Sequence, residues 1–456
     1  MRAIMNRTPR QRPSTAFAQL ATDSSSPHAQ TNWRPAPASP AWRLFVLLCV
    51  AAVAGCATDG SYESRASPRA RAALPADSSA SSPAPLREAS PITPTPPTLG
   101  SPAPLPQPAP VPYPSANEAR LALDRLLPTA ISDRSGWAAD ILAAFASLRI
   151  PALAENLCAT IAIIAQESSF QADPPVPGPA HIVWQEIERR RERYAIPKVV
   201  LDLALLKSSP DGRTYRARID ALRTEKQMNA LYEEMISELP AGRMLLGGYN
   251  PVRTGGPMQV SVSFAEEQVR NRPYPYVRRD SIRDQVFTRR GGVYFGVAML
   301  LDYPAAYSQM LYRFADFNAG RYSSRNAAFQ SAVARLSGYP LALDGDLLRY
   351  SDGSPAAEAS DTQRAIQALR ARLSLSEAEI LRDLKLEKSF AFEQTPLYQR
   401  LYALADAAGA GKRPRELLPR IDLKSPKISR RLTTEWFARR VDERYRNCLE
   451  RHVPAT

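Results

Sequence analysis

Between residues 57 and 115 the chain is so rich in Pro, Ser and Ala, in runs such as Pro102-Ala103-Pro104-Leu105-Pro106-Gln107-Pro108, that the sequence predicts neither helix nor sheet there. Proline fixes φ and supplies no backbone donor, and the segment has too little apolar surface to offset the entropy of ordering it. It reads as an extended tether, spanning more than about 100 Å when stretched at about 3.1 Å per residue. Folding is therefore expected in residues 116–456. Four spans follow: 1–55, a tether at 56–115, a helical domain at 116–340 with an insertion near 175–250, and a helical C-terminal extension at 341–456.

Within the foldable part, apolar residues recur at helical spacing. Leu121, Leu123, Leu126 and Leu127 mark one helix, and Trp137, Ile141, Leu142 and Phe145 a second. Pro151 is placed to open a third, since proline suits the first helical position. Its stripe of Leu153, Leu157, Ile161 and Ile164 leads into Glu167, and Pro174, Pro175 and Pro177 are expected to end it soon afterwards. Further helical pattern covers 186–193, 225–239, 293–301, 310–317, 362–373, 376–386, 396–408 and 428–449. Glycine pairs at 247–248 and 255–256 break the chain, and Gly291-Gly292 leads into the helix at 293–301. No repeat and no hairpin emerge, so a mainly α fold is expected.

Ahead of the tether, residues 44–55 form an apolar run preceded by Arg43 and closed by Val53-Ala54-Gly55-Cys56. This is the charge, length and small-residue ending of a secretory signal, too short for the roughly 20 residues that span a bilayer. The ending resembles a bacterial lipobox, which implies that Cys56 becomes the first mature residue and carries acyl chains that anchor the protein to a membrane. Ala57 in place of aspartate after it resembles an outer-membrane address, with the periplasmic or outer face left open. The whole chain carries a formal net charge of +14; without the signal, whose Arg2, Arg7, Arg10, Arg12, Arg34 and Arg43 outweigh Asp23, about +9 remains. Such a surface suits an anionic envelope polymer, and export argues against nucleic acid as a partner. Of the four cysteines, Cys158 and Cys448 remain; in an oxidising compartment they either pair or stay as two buried thiols.

Three blocks carry the chemistry: Ala165-Gln166-Glu167-Ser168-Ser169-Phe170, Gly256-Pro257-Met258-Gln259-Val260 and Phe317-Asn318-Ala319-Gly320. A glutamate after Ile161, Ile163 and Ile164 and before Phe170 sits where apolar surroundings can keep a carboxylic acid protonated near neutral pH. Glycines let backbone approach a ligand, and glutamine offers both a donor and an acceptor. In this order, with the helix Gly291-Gly292-Val293-Tyr294-Phe295-Gly296 before the third block, the blocks resemble the goose-type lysozyme and soluble lytic transglycosylase superfamily. The resemblance implies a lysozyme-like fold that binds peptidoglycan glycan strands. It further implies that Glu167 alone protonates the bond between N-acetylmuramic acid and N-acetylglucosamine, then takes the muramyl 6-hydroxyl proton to leave a 1,6-anhydro product. It assigns Ser168 to orient the glutamate, and Met258, Gln259 and Asn318 to the sugar groove.

The chain departs from that pattern in three places. Pro257 stands where leucine is commoner, Phe317 replaces the usual tyrosine, and about 90 residues separate Glu167 from Met258. Trp184 and Tyr249, in or near that insertion, could stack on a sugar, although helically spaced aromatics more often build core. No second catalytic carboxylate is evident, with Asp173, Glu186, Asp302 and Asp316 as the available acids. His181 and His452 stand apart, so no metal or other cofactor is expected, and neither a serine-nucleophile turn nor a phosphate loop is present. With the phrases Ser324-Arg325-Asn326-Ala327-Ala328-Phe329-Gln330, Leu343-Asp344-Gly345-Asp346-Leu347-Leu348 and Thr433-Thr434-Glu435-Trp436-Phe437-Ala438, the chain also resembles a family of proteobacterial outer-membrane lipoproteins of unassigned function. The alternative to an enzyme is a non-catalytic envelope lipoprotein that uses the same fold to hold glycan, a peptide or a partner protein.

Overall fold

A computed structural model describes residues 113–238, 243–244, 247–351, 354–409, 411–423 and 432–452. The signal at 1–55, Cys56 and nearly all of the 56–115 tether lie outside the described residues. The fold is mainly helical. It begins where the proline pattern stops: Ser115 caps α1 (Ala116–Leu126), its hydroxyl accepting the Glu118 N–H. After α2 (Arg134–Leu148) comes α3 (Ala154–Glu167). Pro151 does not open α3. Leu153 is its N-cap, and the Leu153 N–H bonds to the Pro151 carbonyl at 2.9 Å.

The expected insertion is a lobe of four helices, α4 (Pro179–Arg193), α5 (Lys198–Leu205), α6 (Tyr215–Asp220) and α7 (Glu225–Ser237). Their inner faces share a small core of Leu201, Leu205, Tyr215, Ile219, Leu222 and Leu231. A hairpin that periodicity did not reveal follows, because each strand is two residues long: β1 (Thr254–Gly255) pairs antiparallel with β2 (Val260–Ser261), Gly255 opposite Val260. Next come α8 (Val262–Asn271), α9 (Ile282–Val286), α10 (Arg289–Leu301), α11 (Met310–Ala319) and α12 (Ser323–Ser337).

The C-terminal span divides between two cores. The short pair β3 (Tyr350–Ser351) and β4 (Ser354–Pro355) precedes α13 (Asp361–Ala368), α14 (Arg370–Leu373), α15 (Glu377–Leu384) and, after a 3-10 turn at Phe390–Gln394, α16 (Pro396–Ala407). These helices bury Ile366, Ile380, Phe392 and Leu401 with Phe329 of α12 in a second core. Then β5 (Asp422–Leu423) and β6 (Leu432–Thr433) lead to α17 (Thr434–Glu450), which returns to pack on α3 and α11 in the first core. Cys158 of α3 and Cys448 of α17 form a disulfide across 290 residues of sequence. The two ends of the fold meet, with the Tyr113 hydroxyl 3.0 Å from His452 Nδ1 and the Arg451 guanidinium donating to the Leu126 carbonyl at 2.9 Å.

A buried polar stripe on α12 joins the cores. Ser324, Arg325, Asn326 and Gln330 are all nearly inaccessible to solvent. Gln330 Oε1 accepts the Gly345 N–H at 2.8 Å, its amide donates to Asp344 at 2.8 Å, and the Asn326 amide donates to the Gly345 carbonyl at 3.0 Å. Arg325 donates to the Ser389 carbonyl at 2.8 Å and lies over the rings of Tyr322 and Phe392. Buried polar groups must be satisfied, so such a network fixes one arrangement of its partners. Two of the phrases singled out in the sequence, 324–330 and 343–348, are thus a clasp that grips itself. Among the described residues no helix is long and apolar enough to cross a membrane.

Candidate functional site

Glu167 is the last residue of a helix whose interior is packed on all sides: Leu157, Ile161, Ile163 and Ile164 are buried. Burying each such side chain is worth about 2 kcal/mol, so the position of the helix end is firmly set. Glu167 itself is half-buried. The chain leaves it through a sharp reversal in which Ser169 (φ 51°) and Phe170 (φ 62°) both take left-handed backbone, a conformation that costs a side-chain-bearing residue about 1 kcal/mol or more. Burial of Phe170, whose ring meets Trp137 edge-on at 5.3 Å, holds the reversal. The reversal, rather than the prolines beyond it, ends the helix.

The same segment then runs into the lobe. Pro175 bridges Thr224, and the Val176 N–H donates to the Arg223 carbonyl at 2.8 Å. Thr224 caps α7 and its hydroxyl donates to Asp173 at 3.0 Å. Burial raises the Asp173 carboxyl above its ordinary range; the Thr224 hydrogen bond opposes this, and the nearby Glu225 charge adds to it. Glu225, buried at the first position of α7, accepts the Gln259 amide at 2.9 Å. Asp173, Thr224, Glu225 and Gln259 therefore form a continuous polar line from the segment after Glu167 to the second block.

That second block is the tip of the β1–β2 hairpin, and α10 explains its sequence. A Cβ on Gly292 would lie 2.5 Å from the Pro257 ring, and one on Gly296 would lie 2.2 Å from the Met258 sulphur. The two glycines, four apart on one helix face, cut the notch into which Pro257 and Met258 fit. Gly256 (φ +73°) turns against the Val286 carbonyl, which a Cβ would meet at 2.0 Å. Gln259 is half-buried and also left-handed (φ 49°), with its N–H closing the turn on the Gly256 carbonyl at 3.1 Å. Asn250, fully buried, bonds Asn229 and Glu233 of α7 at 2.9 and 2.8 Å and so ties the lobe to the entry of the hairpin.

In the third block, Asn318 Oδ1 accepts the Thr434 hydroxyl at 2.9 Å, joining it to the first turn of α17, and Phe317 packs on the first core. The turn is organised by Asp316, fully buried, which accepts the Tyr307 and Tyr303 hydroxyls at 2.7 and 3.1 Å and the N–H groups of Tyr322 and Ser324 at 2.8 and 2.7 Å. Desolvation raises its pKa against these hydrogen bonds. Gly320 (φ 108°) completes the turn.

Two expected roles are corrected by this geometry, the groove contact of Met258 and the orienting contact of Ser168. Met258 is completely buried in the glycine notch and does not face a groove. Ser168 is buried too, and its hydroxyl donates to the Ile164 carbonyl one turn back at 3.1 Å. Both support the site from behind. Of the spare acids, Glu186 pairs with Arg189 and Arg190, Asp302 with Arg272, and Asp316 is the buried hub, leaving Asp173 beside the site. Glu225 was missed because its partner lies 34 residues away and nothing local distinguishes it from a helix-opening glutamate. Trp184 is partly buried and donates to Asp220 at 2.7 Å, so it builds the lobe; the Tyr249 side chain lies outside what is described. Among the described residues no group of three or more His, Cys, Asp or Glu could hold a metal ion.

Residues 130–451 match the model of a family described as a protein of unknown function, DUF1615. The chain belongs to this family. It is also 49% identical over 324 residues, 71% of this chain and 87% of the relative, to the uncharacterized protein YaiW of Escherichia coli (strain K12). No solved structure gives a significant match. The family match begins after α1 and takes in the lobe, the second core and the rest of the first, so the disulfide and the α12 clasp both fall inside it.

Proposed function

We propose that this protein is a lipid-anchored, lysozyme-like enzyme of the outer membrane that cleaves peptidoglycan by the lytic transglycosylase reaction, with Glu167 as acid and then base. The observation that carries this reading is backbone strain on both sides of one polar line: Ser169 and Phe170 directly after Glu167, and Gln259 on the hairpin, all hold left-handed φ without being glycine. Strain of this kind is retained where it positions a functional group. Gln259 and Asn318 are the residues assigned to sugar hydroxyl and acetamido groups, with Glu225 fixing the orientation of the Gln259 amide. Lipidation at Cys56 would anchor the protein and the 56–115 tether would give it reach.

The test is digestion of purified sacculi by the full-length protein, with mass analysis of soluble muropeptides. Anhydro-muropeptides are expected from the wild type, and Glu167→Gln should release them at least about 100-fold more slowly, the scale of a lost general acid. Sacculus binding without any soluble product from either protein would support the non-catalytic alternative, which the bond between Thr434 and Asn318 favours by occupying a groove residue.

A further inference from the structure

The lobe encloses a cavity of about 380 Å³ between α4, α5, α6, α7 and the entry to β1. That is the size of a small-molecule site, about 300–1,000 Å³. Ile187, Leu201, Leu205, Ile219, Leu231 and Ile236 form its walls. Protein interiors are normally filled to crystal-like density, so an apolar volume of this size inside a four-helix lobe is space for something else.

One charged group in the wall lacks its full complement of partners. Arg190 is 5% exposed and its Nε donates to Glu186, but its buried Nη1 has no hydrogen-bond partner. The other ionic groups around it are engaged: Arg191 bonds Glu188 at 2.7 Å, and Glu238 bonds Lys207 at 2.6 Å and the Tyr215 hydroxyl at 2.7 Å. A buried guanidinium N–H left open carries a free-energy penalty that an anionic oxygen would remove. Leu201 and Leu205 of α5 line the cavity, while Val199 and Leu203 on its outer side, and Leu206 just after it, are 63%, 66% and 55% exposed beside the Lys198–Asp202 ion pair. Exposed aliphatic side chains beside an apolar cavity are suited to receiving a chain from a micelle or bilayer.

We propose that the lobe cavity binds an amphiphile with one long acyl chain and an anionic head, the chain lying among the aliphatic walls and the head accepting from Arg190 Nη1. This site does not depend on the glycan-cleaving reading. Glu167→Gln should bind the amphiphile as the wild type does, so failure of one reading leaves the other standing.

Titration of the full-length protein with the fluorescent fatty acid cis-parinaric acid should show saturable one-to-one binding. Hexadecanoate should displace the probe about tenfold more strongly than hexadecan-1-ol, a difference of about 1.4 kcal/mol. Arg190→Met should abolish that preference while probe binding persists, and Ala204→Trp, which fills the cavity, should weaken probe binding at least about tenfold. A linear, non-saturating signal from the wild type would overturn the proposal whatever the variants do. Equal displacement by acid and alcohol would remove the anionic head from it, and unchanged affinity in Ala204→Trp would place the binding elsewhere.

Discussion

At Gly296 in the first core there is no room for one added methyl group, since a Cβ there would press on the Met258 sulphur at 2.2 Å; in the lobe about 380 Å³ stays open between four helices. Both regions are helical and both touch the candidate site. The first core gains its rigidity from α3, which is buried nearly all round, and from the Cys158–Cys448 link that binds α17 to it. The lobe has two short helices, α5 and α6, an internal void and exposed aliphatic side chains on α5. The contrast shows how a chain can hold an acid at the end of an immovable helix while the wall beside it stays adaptable. Glu225 belongs to the lobe, so whatever moves α7 acts on Gln259 directly.

The sharpest way to break this contrast is to remove the disulfide. Cys158→Ala with Cys448→Ala should cost on the order of 5 kcal/mol by loop-closure entropy, read as a lowered denaturation midpoint. Hydrogen exchange should speed up in α3 and α17 far more than in α4–α7; equal acceleration everywhere would mean that lobe and core unfold as one unit. Next in size, Gly296→Val should destabilise by about 3 kcal/mol through overpacking against Met258, measured by the same denaturation.

The second core adds a pH-dependent comparison. Burial pushes Glu387 up to about 7, from 4.5 for the free group. The folded state thus binds a proton that the unfolded chain releases, so stability is fullest below about pH 4.5 and falls as pH rises towards 7. Glu387→Gln should flatten this slope and raise stability at pH 7 by roughly 2 kcal/mol, whereas a midpoint that still falls between pH 5 and 7 would assign the slope to another group. The smallest effect is expected in the lobe. Ala204→Val adds methyl groups at the cavity wall and should change the unfolding free energy by less than about 0.5 kcal/mol, in contrast to the valine at Gly296.

Much of the helical framework was legible because burial and periodicity agree there: the α3 stripe of Leu157, Ile161 and Ile164 predicts a helix running into Glu167, although it stops at that residue and not at the prolines beyond. Caps were less so. Pro151 suggested the start of α3, but the backbone turns at Leu153 instead, and the exit is set by two left-handed residues that carry no sequence mark. At the site, Gly291-Gly292 reads as the way into a helix, whereas both lie within it, and Gly292 with Gly296 forms a notch for Pro257 and Met258, a fit that exists only after the hairpin docks. Methionine was read as a groove wall for the same reason: its burial depends on a helix that follows it by some 40 residues. The third long-range feature, α17 returning to the first core, was hidden because a helical pattern says which face is apolar but not what covers it.

The meeting of Tyr113 with His452 has a mechanical consequence. Tension applied through the segment before Tyr113 enters the fold at its seam, beside α17 and the crosslinked pair of helices, rather than across its width.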